Sequence, residues 1–334
     1  MNEDLKRLLA TLKMNSNLRM RLNKIFDELS PVTSIDLRGY EHGQKLEVCK
    51  KDLLILLQIC KAIPTLRSLT ILGHELDDTS ALILAEAAAD MGKLEALNID
   101  SSNIGDKGAT KIANAVSRHG SIKYVCLHGE NMGNLATDAI AMTVTNNPNI
   151  TRLSIQGTHI DDEGIMSLLN LSLLNRLEQI VIIGGSANSS VCIEIGKKLA
   201  KDNKLRSFVL EVDDFENLAA VLDGVRINSF LTDITLIARN FTPSQNDAIA
   251  EVLRPIKQRN EYAQGLYQRK IDDVLAYAHE CFGLQTHTLD DALLEKLATM
   301  MLQGAPQVSF FKQGGAEGSK TITGQPLVEN ALSV

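Results

Sequence analysis

The chain has no tryptophan among its 334 residues, and aromatic side chains make up only 4% of it. A core without large rings has to be aliphatic, which suits stacked layers of leucine and isoleucine. The five cysteines, Cys49, Cys60, Cys126, Cys192 and Cys281, are odd in number and show no C-x-x-C spacing. That argues against a disulfide framework or a zinc site and predicts a reducing compartment, the cytoplasm. Long apolar runs are missing too. No stretch of about 18 apolar residues occurs, so no membrane span is expected. The start, MNEDLKRLLATLK, lacks the apolar region and cleavage site of a Sec signal. There is no basic excess either: the net charge of −7 gives nucleic acid or an anionic membrane no electrostatic hold.

What the chain does have is a repeat. The frame L-x-x-L-x-L falls on Val32/Ile35/Leu37, Leu66/Leu69/Ile71, Leu94/Leu97/Ile99, Ile122/Val125/Leu127, Ile150/Leu153/Ile155, Leu177/Ile180/Ile182, Leu205/Phe208/Leu210 and Leu231/Ile234/Leu236. From Leu66 onward the units are separated by 28, 28, 28, 27, 28 and 26 residues. A fixed period in that range marks a solenoid, whose units bury their apolar faces only against their neighbours. The step from Val32 to Leu66 is longer, and its surplus is placed in the polar stretch RGYEHGQKLE, read as a loop.

Within a unit the apolar anchors alternate, as in a strand with one buried face. An alanine-rich helical pattern follows, with Ile112, Ala113 and Val116 on one side and Asp106 in the N-cap position. Strands that are each followed by a returning helix have to be parallel. The small residues Gly108, Ala109, Ala113 and Ala115 are expected to let the helix lie close to the sheet. Helices outside and strands inside make the stack curve.

The pattern L-x-x-L-x-L-x-x-x-x-I/L-x-D-x-G/A-x-x-x-(I/L)A over residues 32 to 256 resembles leucine-rich repeats of the ribonuclease-inhibitor type; NIDSSNIGDKGATKIANAV and SIQGTHIDDEGIMSLL match it best. The resemblance implies an α/β solenoid, or horseshoe, with a parallel sheet on its concave face and helices on its convex face. It also implies Asn or Cys at the ninth position of each unit, where His74, Ser102, Glu130, Thr158, Gly185, Asp213 and Arg239 stand instead. Ser102 and Thr158 can still serve buried backbone groups, and the array is expected to become irregular toward its C-terminal end.

Open ends of such a stack need covers. Leu18, Leu22, Ile25, Phe26 and Leu29 share one helical face and define an N-terminal cap over 1–30, ahead of about eight repeats over 31–258. Ile271, Leu275, Ala278 and Phe282, then a helix opened by Thr288, define a C-terminal cap over 259–303. The glycine-rich remainder, 304–334, is read as a flexible tail.

The third, fifth and seventh positions of each unit form the face that the helices leave open. Its middle carries Asp100, Tyr124, His128, Arg152 and Gln156, with an apolar stripe of Val181, Ile183 and Val209 beside them. Tyr and Arg are the side chains most common at binding hot spots, and a polar cluster against an apolar stripe has the make-up of an interface. These residues are the candidate partner-binding site, for a protein.

Chemistry finds less support. Cys126, His128 and Asp100 form a possible nucleophilic constellation, but Cys126 and His128 lie about 6–7 Å apart along the strand and are expected to diverge. Histidines 42, 74, 119, 159, 279 and 287 fall in separate units or turns without an H-x-x-x-H pair, and IIGGSANSS lacks the lysine of a phosphate loop. No enzyme activity, metal or cofactor is expected, and the chain is read as a monomer.

The family resemblance implies a macromolecular partner. Proteins of this type include effectors delivered into host cytosol by intracellular bacteria, which is the reading favoured here. Alternatives are an actin-filament-end capping protein like tropomodulin, and a Ran-directed GTPase-activating protein. The latter would carry a catalytic arginine in an early turn, with Arg38 as the candidate here, and a long acidic C-terminal region that this chain lacks.

Overall fold

The computed structural model describes residues 32–282, apart from 39, 42–43, 46–49, 75, 102, 171–175, 186, 203, 213–214 and 238–240, and outside that span only Arg7. The N-terminal cap residues Leu18 to Leu29, the helix opened by Thr288 and the tail from 304 lie outside the described residues.

Each leucine frame forms a strand. In chain order these are β1 (Ser34–Arg38), the small hairpin strands β2 (Tyr40–Glu41) and β3 (Gln44–Lys45), then β4 (Ser68–Leu72), β5 (Ala96–Asp100), β6 (Tyr124–His128), β7 (Arg152–Gln156), β8 (Gln179–Ile183), β9 (Ser207–Glu211) and β10 (Asp233–Ile237). Among the described residues, all but β2 and β3 join one open sheet in sequence order, and every pairing in it is parallel. Anchor meets anchor in register: Leu69 beside Leu97, Leu97 beside Val125, Val125 beside Leu153. The surplus in the first unit is not a plain loop. Tyr40 pairs with Lys45 and Glu41 with Gln44, an antiparallel hairpin outside the main sheet.

Helices α1 (Lys50–Lys61), α2 (Asp78–Asp90), α3 (Asp106–Ser117), α4 (Asn134–Asn146), α5 (Asp162–Leu168), α6 (Ser189–Lys201) and α7 (Leu218–Ile227) return the chain between strands, and α8 (Pro243–Phe282) follows the last. Their inner faces and the strand anchors make one continuous apolar core, from Ile35 to Ile256. Burying each leucine or isoleucine contributes roughly 1.5–3 kcal/mol. The chain falls into two compact units, Met1–Asn260 and Glu261–Val334.

Asp106 does not cap its own helix. The N-cap of α3 is Gly105, which has no side chain to offer. The carboxylate of Asp78, one unit earlier, accepts the amides of Gly105 and Gly108 at 2.9 Å each. Asp106 in turn accepts the amides of Gly133 (2.8 Å) and Ala136 (3.0 Å) at the start of α4. Capping is thus handed forward, and the orphan amides of one helix hold the preceding repeat. Gly108 is small for this reason rather than for closeness to the sheet: a Cβ there would stand 2.6 Å from Asp78 Oδ1 and 2.8 Å from Ala81 Cβ.

The helix C-termini are tied by a second buried ladder. Asn147 Nδ2 donates to the carbonyls of Val116 and His119, and Asn228 Nδ2 to those of Leu199 and Asp202. Asn260 Nδ2 continues it to the carbonyls of Asn228 and Leu231. Arg259 donates to the carbonyls of Arg226 and Asn228. Arg259 and Asn260 therefore tie α8 to the last repeat.

The ascending turns manage without a buried Asn. Glycines at the eighth position bring backbones together: a Cβ on Gly129 would meet Ile104 O at 2.3 Å, and one on Gly157 would meet Met132 O at 2.5 Å. Among the ninth-position residues, His74 lies with Nε2 3.2 Å from Leu37 O, and Thr158 Oγ1 donates to Glu130 O. Ser102 lies outside the described residues, and the buried bonds are made by its neighbour: Ser101 Oγ donates to His74 O (2.5 Å) and accepts the Leu76 amide (2.8 Å). Irregularity does come late in the array. Pairing of β8 with β9 stops at Ile182 and Leu210, and the next amide, Gly184, donates instead to the buried carboxylate of Glu211 at 2.6 Å.

Candidate functional site

Side chains at the third, fifth and seventh positions stand on the face of the sheet opposite the core. All seven predicted residues lie there, on four successive strands: Asp100 at the end of β5, Tyr124 and His128 on β6, Arg152 and Gln156 on β7, Val181 and Ile183 on β8. Register brings them side by side. Asp100 pairs with His128, His128 with Gln156, Gln156 with Ile183, and Tyr124 with Arg152. Arg152 and Gln156 are exposed, while Tyr124, His128, Val181 and Ile183 are half-buried. Val209 adjoins Val181 in register, and Ile237 on β10 is exposed.

The Arg152 guanidinium stacks over the Tyr124 ring, 5.3 Å from its centroid. Burial, and then the Cys126 sulfur beside it, push the Tyr124 hydroxyl up to about 12, against the opposing pull of Arg152. Tyr124 therefore stays neutral and presents a rigid amphipathic surface with a cation on top.

The expectation that Cys126 and His128 diverge is overturned. Cys126 Sγ lies 3.3 Å from His128 Nε2, which also stands 2.9 Å from Ser154 Oγ on β7. On the other side of the ring, His128 Nδ1 lies 3.6 Å from Asp100 Oδ2. An imidazole is long enough to lean back along its strand and to span both neighbouring strands; the Cα spacing alone ignores that reach. Burial works to lower the His128 pKa, but the Asp100 carboxylate and Cys126 outweigh it and raise it to about 9. His128 is thus a cation at neutral pH.

Where these strands end, Asp100, His128, Glu130, Gln156, Ile183 and Glu211 line a groove of about 470 Å³ floored by the stacked glycine turns. Ser154 and Glu211 were not singled out in the sequence, and Cys126 was weighed there only as a nucleophile. The register carried the signal, since Cys126 and Ser154 share the central position of adjacent units. Among the described residues no group of His, Cys, Asp and Glu is arranged to hold a metal ion, and no helix is long and apolar enough to cross a membrane.

A family model described as Leucine Rich repeat matches residues 93–113 and 146–169. No curated protein matches the chain. Among solved structures it is similar to Leiomodin-1 Actin-Binding Site 2 (ABS2), at 16% identity and a TM-score of 0.37, over 57% of this chain and 92% of that one. With its repeating strand–helix units stacked in phase on a single parallel sheet, the chain is a leucine-rich repeat solenoid.

Proposed function

We propose that the chain is a non-enzymatic scaffold that binds a protein on the open face of its sheet, centred on Tyr124 and Arg152 and flanked by Asp100, His128, Gln156, Val181 and Ile183. One observation carries this reading: an exposed arginine is stacked on a half-buried tyrosine on the face of the sheet opposite the core. Ordering such a pair before binding lowers the entropic cost of binding, and Tyr and Arg are the side chains that dominate hot spots. The apolar stripe of Val181, Ile183 and Val209 supplies area that a partner would dehydrate. The resemblance to delivered effectors is the ground for seeking that partner among host-cell proteins.

The test is to immobilise the full chain beside a Tyr124→Ala/Arg152→Ala double variant with an unchanged melting temperature, and to compare what each retains from host and bacterial lysates. A partner held by the wild type and lost by the variant supports the site. Equal retention of every bound protein moves the interface away from this face.

A further inference from the structure

Cys126, His128 and Asp100 stand in series across two strands, a 3.3 Å hydrogen-bond contact between sulfur and imidazole followed by a 3.6 Å ion-pair contact to the carboxylate. A nucleophile, a base within reach of it and a third group holding the base is the arrangement by which proteins activate thiols. Cys60 and Cys192 sit in the apolar core, and burial pushes the Cys60 thiol up to about 12. Cys126 is only 4% exposed, yet Tyr124 and His128 flank it on its own strand and Asn98 and Ser154 adjoin it in register.

We propose that Cys126 is a peroxide-reactive thiol, activated by His128 with Asp100 as the positioning residue, and that its oxidation to a sulfenic acid is a built-in modification of the sheet's open face. The oxidant is hydrogen peroxide, small enough to reach a sulfur that larger molecules do not. Sulfur attacks one peroxide oxygen, forming the S–O bond as the O–O bond breaks. Sulfur loses two electrons and the peroxide gains them; the thiol proton passes to His128 Nε2, 3.3 Å away, and from there to the departing hydroxide, which leaves as water. Asn98 Oδ1, buried and without a hydrogen-bond partner, is an acceptor for the new S–O–H.

The charge on His128 favours this course. Asp100 faces it from β5, Cys126 and Tyr124 from its own strand, and Ser154 and Gln156 from β7, with the Arg152 cation beyond Tyr124. A cationic ring beside the sulfur supplies the proton for the leaving group. The proposal does not rest on the protein-binding reading, and its test uses no partner.

The full chain is treated with hydrogen peroxide at pH 7 for timed intervals, quenched with catalase and unfolded in urea with dimedone, and adducts are counted cysteine by cysteine by mass spectrometry. Cys126 is expected to label at least tenfold faster than Cys60 and Cys192. His128→Asn is expected to slow it at least tenfold, with thermal melting reporting whether the variant is folded. Asp100→Asn, which alters a half-exposed side chain, is the second variant and should shift the pH profile of labelling, a readout that loss of packing alone would not move. Labelling of Cys126 no faster than of the two core cysteines, or an unchanged rate in folded His128→Asn or an unchanged profile in Asp100→Asn, overturns the proposal.

Discussion

The Asp78 carboxylate accepts the amide of Gly108 at 2.9 Å, although the two residues are 30 apart in the chain and belong to different repeats. A helix cap of this kind couples local helix stability to the stacking of units. Asp78→Ala is expected to cost about 1 kcal/mol, the usual value of an N-cap. Gly108→Ala would gain about 1 kcal/mol of helix propensity elsewhere. Here the added methyl meets Asp78 and Ala81 inside 3.0 Å, so a net loss of about 1–2 kcal/mol is expected from overpacking. Urea unfolding of both variants checks this, and a stabilised Gly108→Ala would contradict the cross-repeat cap.

The strands of the main sheet were legible in the sequence because the anchors Leu69/Ile71, Leu97/Ile99 and their sisters keep both a period of two within the strand and a period near 28 between units, whereas the β2–β3 hairpin, which has no such anchors, read as a loop. What failed was whatever depended on side-chain reach across that period. Asp106 reads as a cap because it stands at the start of a helix, and nothing local says that its carboxylate serves Gly133 and Ala136 instead. The face shared by Asp100, Tyr124, His128 and Arg152 followed from strand alternation alone. The contact between Cys126 and His128 did not, because it depends on how the imidazole leans.

Asn228 is 2% exposed, and its amide group serves four backbone partners: it donates to Leu199 O and Asp202 O and accepts from the amides of Phe230 and Leu231. Asn228→Leu would leave those groups buried without partners, at roughly 1–3 kcal/mol for each one that water does not reach. A loss of about 3 kcal/mol or more is expected, against almost none for Asn149→Ala, whose Nδ2 bond to Gly120 O is exposed. Denaturant midpoints of the two variants make the comparison.

His119 holds the place in its repeat that Asn147 and Asn228 hold in theirs, with Nε2 3.1 Å from Met91 O. Burial lowers its pKa below the usual 6.5, partly offset by bonds to the carbonyls of Met91 and Ala88. A group whose folded pKa is depressed supports the fold above its unfolded pKa and costs stability as pH falls through the folded value. The wild type should therefore lose stability on acidification below pH 6.5. His119→Asn keeps a donor for Met91 O and removes the proton uptake, so its melting temperature should fall less between pH 7 and pH 5. An equal fall in both proteins would show that His119 is not the group responsible.

His128 acts at the other end of the scale. Its pKa is raised from 6.5 to about 9, with burial opposing and Asp100 and Cys126 prevailing. A cation favoured by the fold contributes its full stabilisation below pH 6.5 and loses it as pH rises through 9. The pKa difference corresponds to about 3 kcal/mol. Asp100 is 52% exposed, however, so water screens part of the pairing and a contribution near 2 kcal/mol is expected. His128→Asn should be less stable than the wild type at pH 6 and should approach it at pH 9.5, because only the wild type has this charge to lose. Melting both proteins across that range isolates the His128 contribution from other titrating groups, and a difference that stays constant with pH would mean that His128 is not charged in the folded chain.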